Sequence, residues 1–349
     1  MLLMIKIYKM LSELHFLNVK QGDCSWIKHP NGNNTIIDIF NASTEKQKSQ
    51  ALLRLILESK IEDTIRARGA KGNFRQKEFP VNPIEYLKDF GVSSVFRFIL
   101  THPDMDHMGG IEDFFSTFNP INFWDTDNTK ELNSFEGSPH KESDWNFYKN
   151  LRNSNNSNPT RLALYSGAKG KYYNQNQDDS CCGNGLFILS PTKELVEQAN
   201  QSGDFNDCSY VIIYRPPNGA KVIIAGDSHD KTWEHILESW ENEVKDCDVL
   251  LAPHHGRDSN RSYDFLSILN PKITFFGIAK SEHLNYSAWS NRGLQVFTNN
   301  QGNCLIAKFI DSGTEIRCTY KTFAEAYCNA NGYSTNYDSS TKSYYLKTI

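Results

Sequence analysis

The sequence of 349 residues lacks any long apolar run. No uninterrupted stretch of about 18 apolar residues occurs, which excludes a helix that spans a membrane. The N-terminal stretch MLLMIKIYKMLSELHFL is apolar, but Lys6, Lys9 and Glu13 interrupt it and no small-residue cleavage site follows. We therefore predict a soluble protein without a secretory leader and without a membrane partner.

The cysteine spacing of a disulfide framework or a zinc knuckle is also missing. The eight cysteines include no CxxC pair, and only Cys181 and Cys182 are adjacent. A location in the reducing cytoplasm is the simpler interpretation, and we adopt it as the prediction.

An excess of positive charge is absent as well. The formal net charge is −4, which excludes a globally basic nucleic-acid binder, so a polyanion would have to meet a local basic surface. The segment TIRARGAKGNFRQK over 64–77 contains basic residues and no acid. Its candidate phosphate-binding residues are Arg66, Arg68, Lys71, Arg75 and Lys77. The alternative for this segment is an ordinary solvated loop.

The sequence does contain a series of short apolar runs separated by turns and helical patterns. Two β-rich runs, 14–19 and 35–40, flank the turn sequence KHPNGNN and predict a hairpin. Helices are predicted over 43–68, in PIEYLKDFG and in KTWEHILESWENEV. Further strands are predicted in SSVFRFILT, SYVIIY, KVIIAG, CDVLLAP, KITFFGI and GLQVFT. The Asn- and Ser-rich segment 115–180 predicts a long surface insertion able to form a lid, within a layered α/β enzyme.

Histidines and carboxylates follow three of the apolar strands. They are His102, Asp104, Asp106 and His107 after VFRFIL, Asp227 after KVIIAG, and His254 and His255 after DVLLAP. Because strands of one sheet bring their ends together, these side chains can converge on one site. The alternatives are a solvated acidic turn for the first cluster and a helix cap for Asp227.

Histidine together with carboxylate is the ligand set of a divalent metal ion, and the clustered residues are numerous enough for two ions. Positions 102, 104 and 106 can project to one side of an irregular loop, while His107 can serve a second ion. Two ions about 3.5–4 Å apart can activate water and hold the attacking and leaving oxygens of a displacement. The clusters therefore predict a hydrolase.

Four motifs, in this order, carry a family resemblance. They are LNVKQGDCSWIKHPNGNNTIIDIF, THPDMDHMGG, IIAGD and LAPHHG. Together they resemble the metallo-β-lactamase fold, in the ComEC-like and phosphorylcholine-esterase-like branch with H-x-D-x-D-H in place of H-x-H-x-D-H. The resemblance covers roughly residues 12–310 and implies a four-layer αββα sandwich with helical and loop insertions. It implies one domain over 1–320, with insertions at about 43–80 and 115–180, and a C-terminal extension over 321–349 that packs on it.

The resemblance also implies roles for the clustered residues. The implied metal ligands are His102 and Asp104 for one ion, Asp106, His107 and His255 for the other, and Asp227 as the bridge. His254 would face the substrate as a phosphate contact or proton donor. The predicted catalytic residues are Asp106 and His254. Which histidine of the HHG pair ligates stays open. His283 is a further candidate near the substrate, with ordinary packing as its alternative.

Two departures from the family pattern bear on the site. The usual histidine before the strand VIIY is absent, and DFNDCSYVIIY puts Asn206 or Asp207 in its place. One of these residues supplies an oxygen ligand, or the position is left to water. Asp38 is followed by Ile39 and Phe40 rather than by two glycines, which alters the backbone beside the site.

The leading hypothesis is a cytoplasmic phosphodiesterase with two divalent metal ions, acting as a nuclease on single-stranded DNA or RNA. Metal ions neutralise the charge that develops on a phosphoryl group, so phosphodiesters suit such a centre. The carboxylate-rich ligand set favours manganese, with zinc as the alternative. The other hypotheses are hydrolysis of a small phosphodiester or cyclic nucleotide, and a metal-bound or degenerate binding module without turnover. A partner protein or a homo-oligomer would accompany the last of these.

Overall fold

The computed structural model describes residues 11–43, 73–154, 157–259, 261–279 and 284–349. The strands in these residues are β1 Ser12–Phe16, β2 Ser25–Lys28, β3 Asn34–Ile37, β4 Arg97–Ile99, β5 Asn122–Trp124, β6 Thr160–Leu162, β7 Leu186–Ser190, β8 Val211–Tyr214, β9 Val222–Ile224, β10 Val249–Leu251, β11 Ile273–Phe276, β12 Val296–Thr298, β13 Leu305–Ile310, β14 Gly313–Cys318, β15 Tyr337–Asp338 and β16 Ser343–Thr348. The helices are α1 Pro83–Asp89, α2 Ile111–Phe118, α3 Glu142–Asn153, α4 Lys193–Ser202, α5 Asp230–Val244, α6 Phe265–Leu269, α7 Tyr286–Ser290, α8 Asn299–Gly302 and α9 Lys321–Ala330. Within these ranges, no helix has the length and apolar character needed to cross a bilayer.

The strands form two sheets. The first sheet has the order β15-β16-β14-β13-β1-β2-β3-β4-β5-β6, and the second has the order β12-β11-β10-β9-β8-β7. Strands β3 to β6 run parallel to one another, as do β9 to β12. Parallel neighbours end at the same edge of a sheet, so the loops that follow β4, β9 and β10 can meet.

The sheets pack face to face, and helices cover their outer faces. Alternate residues of both sheets meet in a central core, which includes Leu14, Ile37, Ile99, Ile224 and Leu251. Residues on the opposite faces pack against helices, as Phe98 does with Leu87, Phe114 and Trp145, and as Leu250 does with Trp233 and Leu266. Both faces of each sheet are therefore apolar, as two covered layers require. The predicted four-layer αββα sandwich is confirmed.

Several predicted elements agree with the structure. The helix in PIEYLKDFG is α1, which begins after Asn82, whose side chain accepts a hydrogen bond from the Ile84 N–H. The helix in KTWEHILESWENEV is α5. The runs SYVIIY and KVIIAG form the antiparallel pair β8 and β9. The helix predicted over 43–68 lies outside the described residues from position 44 onward.

The predicted N-terminal hairpin is wrong in its first strand. The turn sequence KHPNGNN joins β2 to β3, with Ser25 opposite Ile37. The apolar run that was assigned to the hairpin is β1, which pairs with β2 on one side and with β13 on the other. The four residues of β2 are too short to show a clear alternation, so the sequence hides this strand.

The segment 115–180 is more than the surface insertion that its composition predicts. It contains β5 and β6, which extend the first sheet by parallel pairing next to β4, and α3, which packs on α2. Residues 321–349 likewise form α9, β15 and β16, and β16 pairs with β14 in the same sheet. Both segments therefore contribute to the layers of the sandwich.

Candidate metal centre

Asp38 fixes the loop that follows β4. It lies directly after β3, and its carboxylate accepts hydrogen bonds from the N–H and from Oγ1 of Thr101, both at 2.7 Å. Because β3 and β4 are parallel neighbours, this contact ties the start of the loop to the adjacent strand. His102 comes next, and a 3-10 turn over Met105–His107 completes the loop.

Four buried side chains converge at the strand ends. His102, His107, Asp227 and His255 are each at most 3% exposed. The Nε2 atoms of His102 and His255 lie 3.9 and 3.7 Å from Asp227 Oδ2. The Nε2 atom of His107 lies 3.4 Å from Asp227 Oδ1. Three imidazoles therefore surround one carboxylate.

The atoms that face this centre have no hydrogen-bond partner among the described residues. They are Nε2 of His102, His107 and His255, and Oδ1 of Asp227. A buried polar atom without a partner costs about 1–3 kcal/mol, so four of them in one place require an explanation. Imidazole nitrogens and carboxylate oxygens are the atoms that bind a divalent cation. This set of side chains fits a metal ion.

Carboxylates behind two of the histidines set the direction of the imidazoles. Nδ1 of His107 lies 2.8 Å from Asp38 Oδ2, and Nδ1 of His255 lies 2.8 Å from Asp23 Oδ1. Because a carboxylate accepts, Nδ1 donates in each ring and Nε2 faces the centre, as in many metal-binding histidines. Neither Asp23 nor Asp38 was predicted as a site residue. Asp38 directly follows β3, which is the signal that identifies the others, whereas Asp23 lies in the loop before β2 and has no such signal.

Asp104 and Asp106 contact different histidines. Asp106 Oδ2 lies 3.7 Å from His255 Nε2, and Asp104 Oδ2 lies 3.8 Å from His102 Nε2. The other oxygen of Asp104 accepts a hydrogen bond from Nζ of Lys130, a residue that no sequence pattern singled out. Three trios of ligand atoms lie within 4.8 Å of one another: His102, His107 and Asp227; Asp106, His107 and His255; Asp23, Asp227 and His255. Asp104 belongs to none of these trios in the described part of the chain.

His254 and His255 present different atoms to the centre. Both have left-handed backbones, with φ of 52° and 59°. Nε2 of His254 lies 3.5 Å from Asp227 Oδ2, while Nδ1 lies 3.0 Å from Arg261 Nη2 and 2.8 Å from Ser259 Oγ. An arginine can only donate, and Arg261 is nearer to Nδ1, at 3.0 Å, than Arg257 is to Nε2, at 3.5 Å. Nδ1 of His254 therefore accepts, and the proton of the neutral ring lies on Nε2, toward Asp227. Once its Nε2 proton is displaced, His255 offers a lone pair to a cation, whereas His254 offers an N–H.

The charges of the centre are mutually dependent. Burial by itself would lower the pKa of His255, but Asp23 and Asp227 raise it to about 10. Burial would also lower the pKa of His107, but Asp227 raises it well above its ordinary value. Burial disfavours the charged form of Asp227, yet the surrounding histidines, His255 first, hold its pKa well below the usual range. Without a cation His255 therefore carries an additional proton at neutral pH, which a cation must displace, and His107 holds a proton more tightly than a free imidazole does.

The third-motif residues lie to one side of this centre. Asn206 Nδ2 is 3.5 Å from Nε2 of His229, whose ring centroid lies 6.1 Å from that of His254. Asp207 Oδ1 is buried without a hydrogen-bond partner within the described ranges, and Asp207 joins none of the three trios. The structure thus places His229, rather than a third-motif carboxylate, beside His254.

The candidate substrate-binding residues fall into two groups. Those outside the described residues are Arg66, Arg68, Lys71 and His283. Arg75 is exposed, and its guanidinium donates to Glu78 at 2.7 and 2.9 Å. The backbone N–H of Lys77 donates to Asn300 Oδ1 at 3.1 Å. Arg75 and Lys77 contact none of the clustered histidines and carboxylates, and their role in phosphate binding stays a prediction.

Comparisons with known proteins give structural matches alone. No protein-family model and no curated protein matches this sequence. Fifty chains of solved structures match. Igni18, a metallo hydrolase from the archaeon Ignicoccus hospitalis KIN4/I, is 14% identical, with 86% of this chain and 100% of that chain covered and a TM-score of 0.46. YhfI from Bacillus subtilis, a metallo-beta-lactamase fold protein, is 8% identical, with 85% and 100% covered and a TM-score of 0.43.

A diphosphatase from the PhnP family is another of these matches. It is 12% identical, with 82% of this chain and 94% of that chain covered and a TM-score of 0.37. At such identities a likeness concerns the fold, so the chemistry of this chain has to come from its own side chains.

Proposed function

We propose that this protein is a divalent-metal-dependent hydrolase of phosphodiesters. The observation that carries the proposal is the set of four buried, unpaired ligand atoms on His102, His107, Asp227 and His255. The fold brings these atoms together from loops that follow three different strands, and a bound cation satisfies all four. A site built in this way is organised around a ligand of positive charge.

The trios support His102, Asp106, His107, Asp227 and His255 as ligands, and Asp104 comes from the sequence alone. The proposed ligands lie around Asp227, and the sequence predicts that His102 and Asp104 would hold a second ion. When bound, a divalent cation supplies a Lewis acid that polarises a phosphoryl oxygen and favours the ionisation of water. Manganese is the proposed ion because the ligands are rich in carboxylates, and zinc is the alternative.

His254 is proposed as a hydrogen-bond donor to the substrate. Burial lowers the pKa of its imidazole to about 3, so the ring is neutral at pH 7. Arg261 holds Nδ1, and the remaining N–H on Nε2 points toward Asp227. A neutral ring held in this way donates a hydrogen bond to a phosphoryl oxygen and lacks the extra proton of an imidazolium acid. Of the two roles expected for His254, this arrangement supports the phosphate contact.

Positive charge beside His254 supports an anionic substrate. Nη1 of Arg257 lies 3.5 Å from His254 Nε2, and Arg261 lies on the other side of the same ring. Guanidinium groups match the oxygens of a phosphate through a planar fork of donors. We extend the proposal to single-stranded DNA or RNA in the cytoplasm, with the basic segment 64–77 as the contact for phosphates beyond the scissile one.

The first experiment measures metal and turnover together. Protein purified without a chelating resin is analysed for bound metal by mass spectrometry. It is then assayed with added manganese or zinc on labelled single-stranded and double-stranded oligonucleotides and on bis(4-nitrophenyl) phosphate. We expect bound metal and cleavage that is fastest on the single strand. Protein that binds no divalent ion and cleaves no phosphodiester would refute the proposal, and cleavage of the small ester alone would limit it to small substrates.

The nucleic-acid part of the proposal has its own test. Changing the five basic residues of 64–77 to glutamine should weaken binding of a single-stranded oligonucleotide and flatten its salt dependence, because fewer counterions are released from phosphates. A matched control changes five lysines on the outer surface, at positions 149, 193, 231, 272 and 321. An equal salt dependence of oligonucleotide binding for the wild type and the 64–77 variant would show that the segment is an ordinary solvated loop.

A further inference from the structure

Lys130 lies at the edge of the metal centre and is held from two directions. Its Nζ donates to Asp104 Oδ1 and lies 5.3 Å from the centroid of the Phe205 ring. The side chain is 19% exposed, so most of the stem is packed and the ammonium has few alternative positions. The two contacts come from separate segments, the loop after β4 and the 3-10 turn Phe205–Cys208.

The backbone of Lys130 is fixed as firmly as its side chain. Its N–H donates to Asn128 Oδ1 at 3.2 Å, and its carbonyl accepts from Nη1 of Arg152 at 2.7 Å. Asn128 donates in turn to the hydroxyl of Tyr148 at 2.7 Å. Because Tyr148 and Arg152 belong to α3, a packed helix determines where the ammonium can reach. The ion pair with Asp104 is therefore built into the fold.

Ligand atoms are scarce on this side of the centre. Asp104 is near one histidine, His102, and takes part in none of the trios found in the described residues. The third-motif residue Asn206 points its amide toward His229. An ion beside Asp104 would thus have His102 as its one nearby histidine and would have to share Asp227 with the other side. The opposite side, with His107 and His255, also has the carboxylates of Asp106 and Asp227.

We propose that the Lys130 ammonium takes the place of a second metal ion beside Asp104, so that the centre binds a single divalent cation. An ammonium and a divalent cation compete for the same carboxylate and repel each other at short range. Unlike a metal ion, the Lys130 ammonium does not have to be taken up from solution, because α3 holds this residue in position. This inference rests on the proposed function and replaces the second ion predicted from the sequence with a residue of the chain itself.

Lys130 would also meet the substrate. Its ammonium is partly exposed at the rim, where an anionic oxygen bound at the centre can share it with Asp104. Lysine is a compact point charge suited to phosphate oxygens. The single ion and Lys130 would therefore neutralise different oxygens of one phosphodiester, and both sides of the centre would carry positive charge.

The test counts metal ions in variants of the metal-free protein. The variants are Lys130→Met, which keeps the length of the stem without its charge, Lys130→Arg, which keeps the charge, and the control Lys149→Met, which removes another lysine from the same region. Each protein is loaded with manganese, passed through a desalting column and analysed for metal and protein. Electron paramagnetic resonance then distinguishes isolated from coupled manganese ions, and circular dichroism verifies folding.

We expect one equivalent and an uncoupled manganese spectrum for the wild type, Lys130→Arg and Lys149→Met. Lys130→Met should gain a second equivalent and a coupled spectrum, because Asp104 is released. Two equivalents in the wild type would overturn the inference, as would a folded Lys130→Met protein that still binds one. A wild type that binds no ion would refute the proposed function itself, which is a separate outcome. If Lys130→Met does not fold, Lys130→Gln provides the same measurement with a polar side chain.

Discussion

The metal centre has two unlike sides. On one side, His107 and His255 each donate from Nδ1 to a carboxylate behind the ring, which leaves Nε2 directed at the centre. On the other side, Asp104 is paired with Lys130 and has one histidine nearby. The first side is organised to receive a cation, whereas the second already contains one. Charge is thus arranged asymmetrically around Asp227, which contacts the histidines of both sides.

The largest effect is expected when the residue common to both sides is removed. Asp227→Ala should abolish phosphodiester cleavage and metal binding, because its carboxylate faces four histidine rings. Metal content and turnover are measured beside Asp264→Ala, whose side chain is 91% exposed. Wild-type metal content and turnover in Asp227→Ala would show that Asp227 is not part of the metal centre and does not connect its two sides.

The adjacent histidines should separate metal binding from turnover. His255→Ala should lose bound metal, since it removes an Nε2 lone pair together with the support of Asp23. His254→Ala should keep the metal and lose turnover by roughly 10²–10³-fold, as expected when one hydrogen-bond donor to the reacting group is removed. Both variants are compared by metal analysis and by single-turnover assays. If His254→Ala lost the metal and His255→Ala kept it, His254 would be the ligand and His255 the substrate contact.

The carboxylates behind the histidines should matter more than Asp104 for metal affinity. Asp38→Asn should weaken binding by about 10–100-fold, because the amide no longer fixes the His107 ring with its charge. Asp104→Asn should change affinity much less, since its carboxylate is occupied by Lys130. Titration of the metal-free proteins with manganese gives both constants. Equal losses in the two variants would show that the two sides contribute alike.

The remaining effect is a dependence of affinity on pH. The pKa of His255 is raised to about 10, so its ring is protonated at neutral pH, and the raised pKa of His107 makes that ring hold a proton more tightly before a cation binds. A cation must displace these protons, and its affinity should rise by roughly tenfold per pH unit for each proton released as pH increases from 6 to 8. Calorimetry in buffers of different ionisation enthalpy counts the protons directly. An affinity that does not change over this interval would show that the rings are neutral in the metal-free protein.

The sequence predicted the fold and the members of the cluster because both follow from short-range patterns. His102, Asp227 and His255 come immediately after apolar strands, so their convergence depends only on those strands sharing one edge of the sandwich. The same rule applies to Asp38 after β3, although Ile39 and Phe40 replace the expected glycines there.

Other features could not be predicted in this way. The position of Lys130 depends on Arg152 and Tyr148 of α3, which hold its backbone through contacts between separate segments. No local pattern records such contacts. Strands β5 and β6 have three residues each, too few for alternation to show within an Asn-rich segment.

Strand β16, the last strand in chain order, limits where the chain can be truncated. Strand β16 pairs with β14, and its Leu346 is fully buried in the central core. The guanidinium of Arg317, itself 1% exposed, donates to the hydroxyl and the carbonyl of Ser343 at 3.0 Å each. Truncation after Tyr320 would remove these partners, leave Arg317 with Glu315 alone and expose a long strand edge of the kind that aggregates. Strands β1 and β16 therefore belong to one sheet, and a shortened protein has to keep α9 and the strands that follow it.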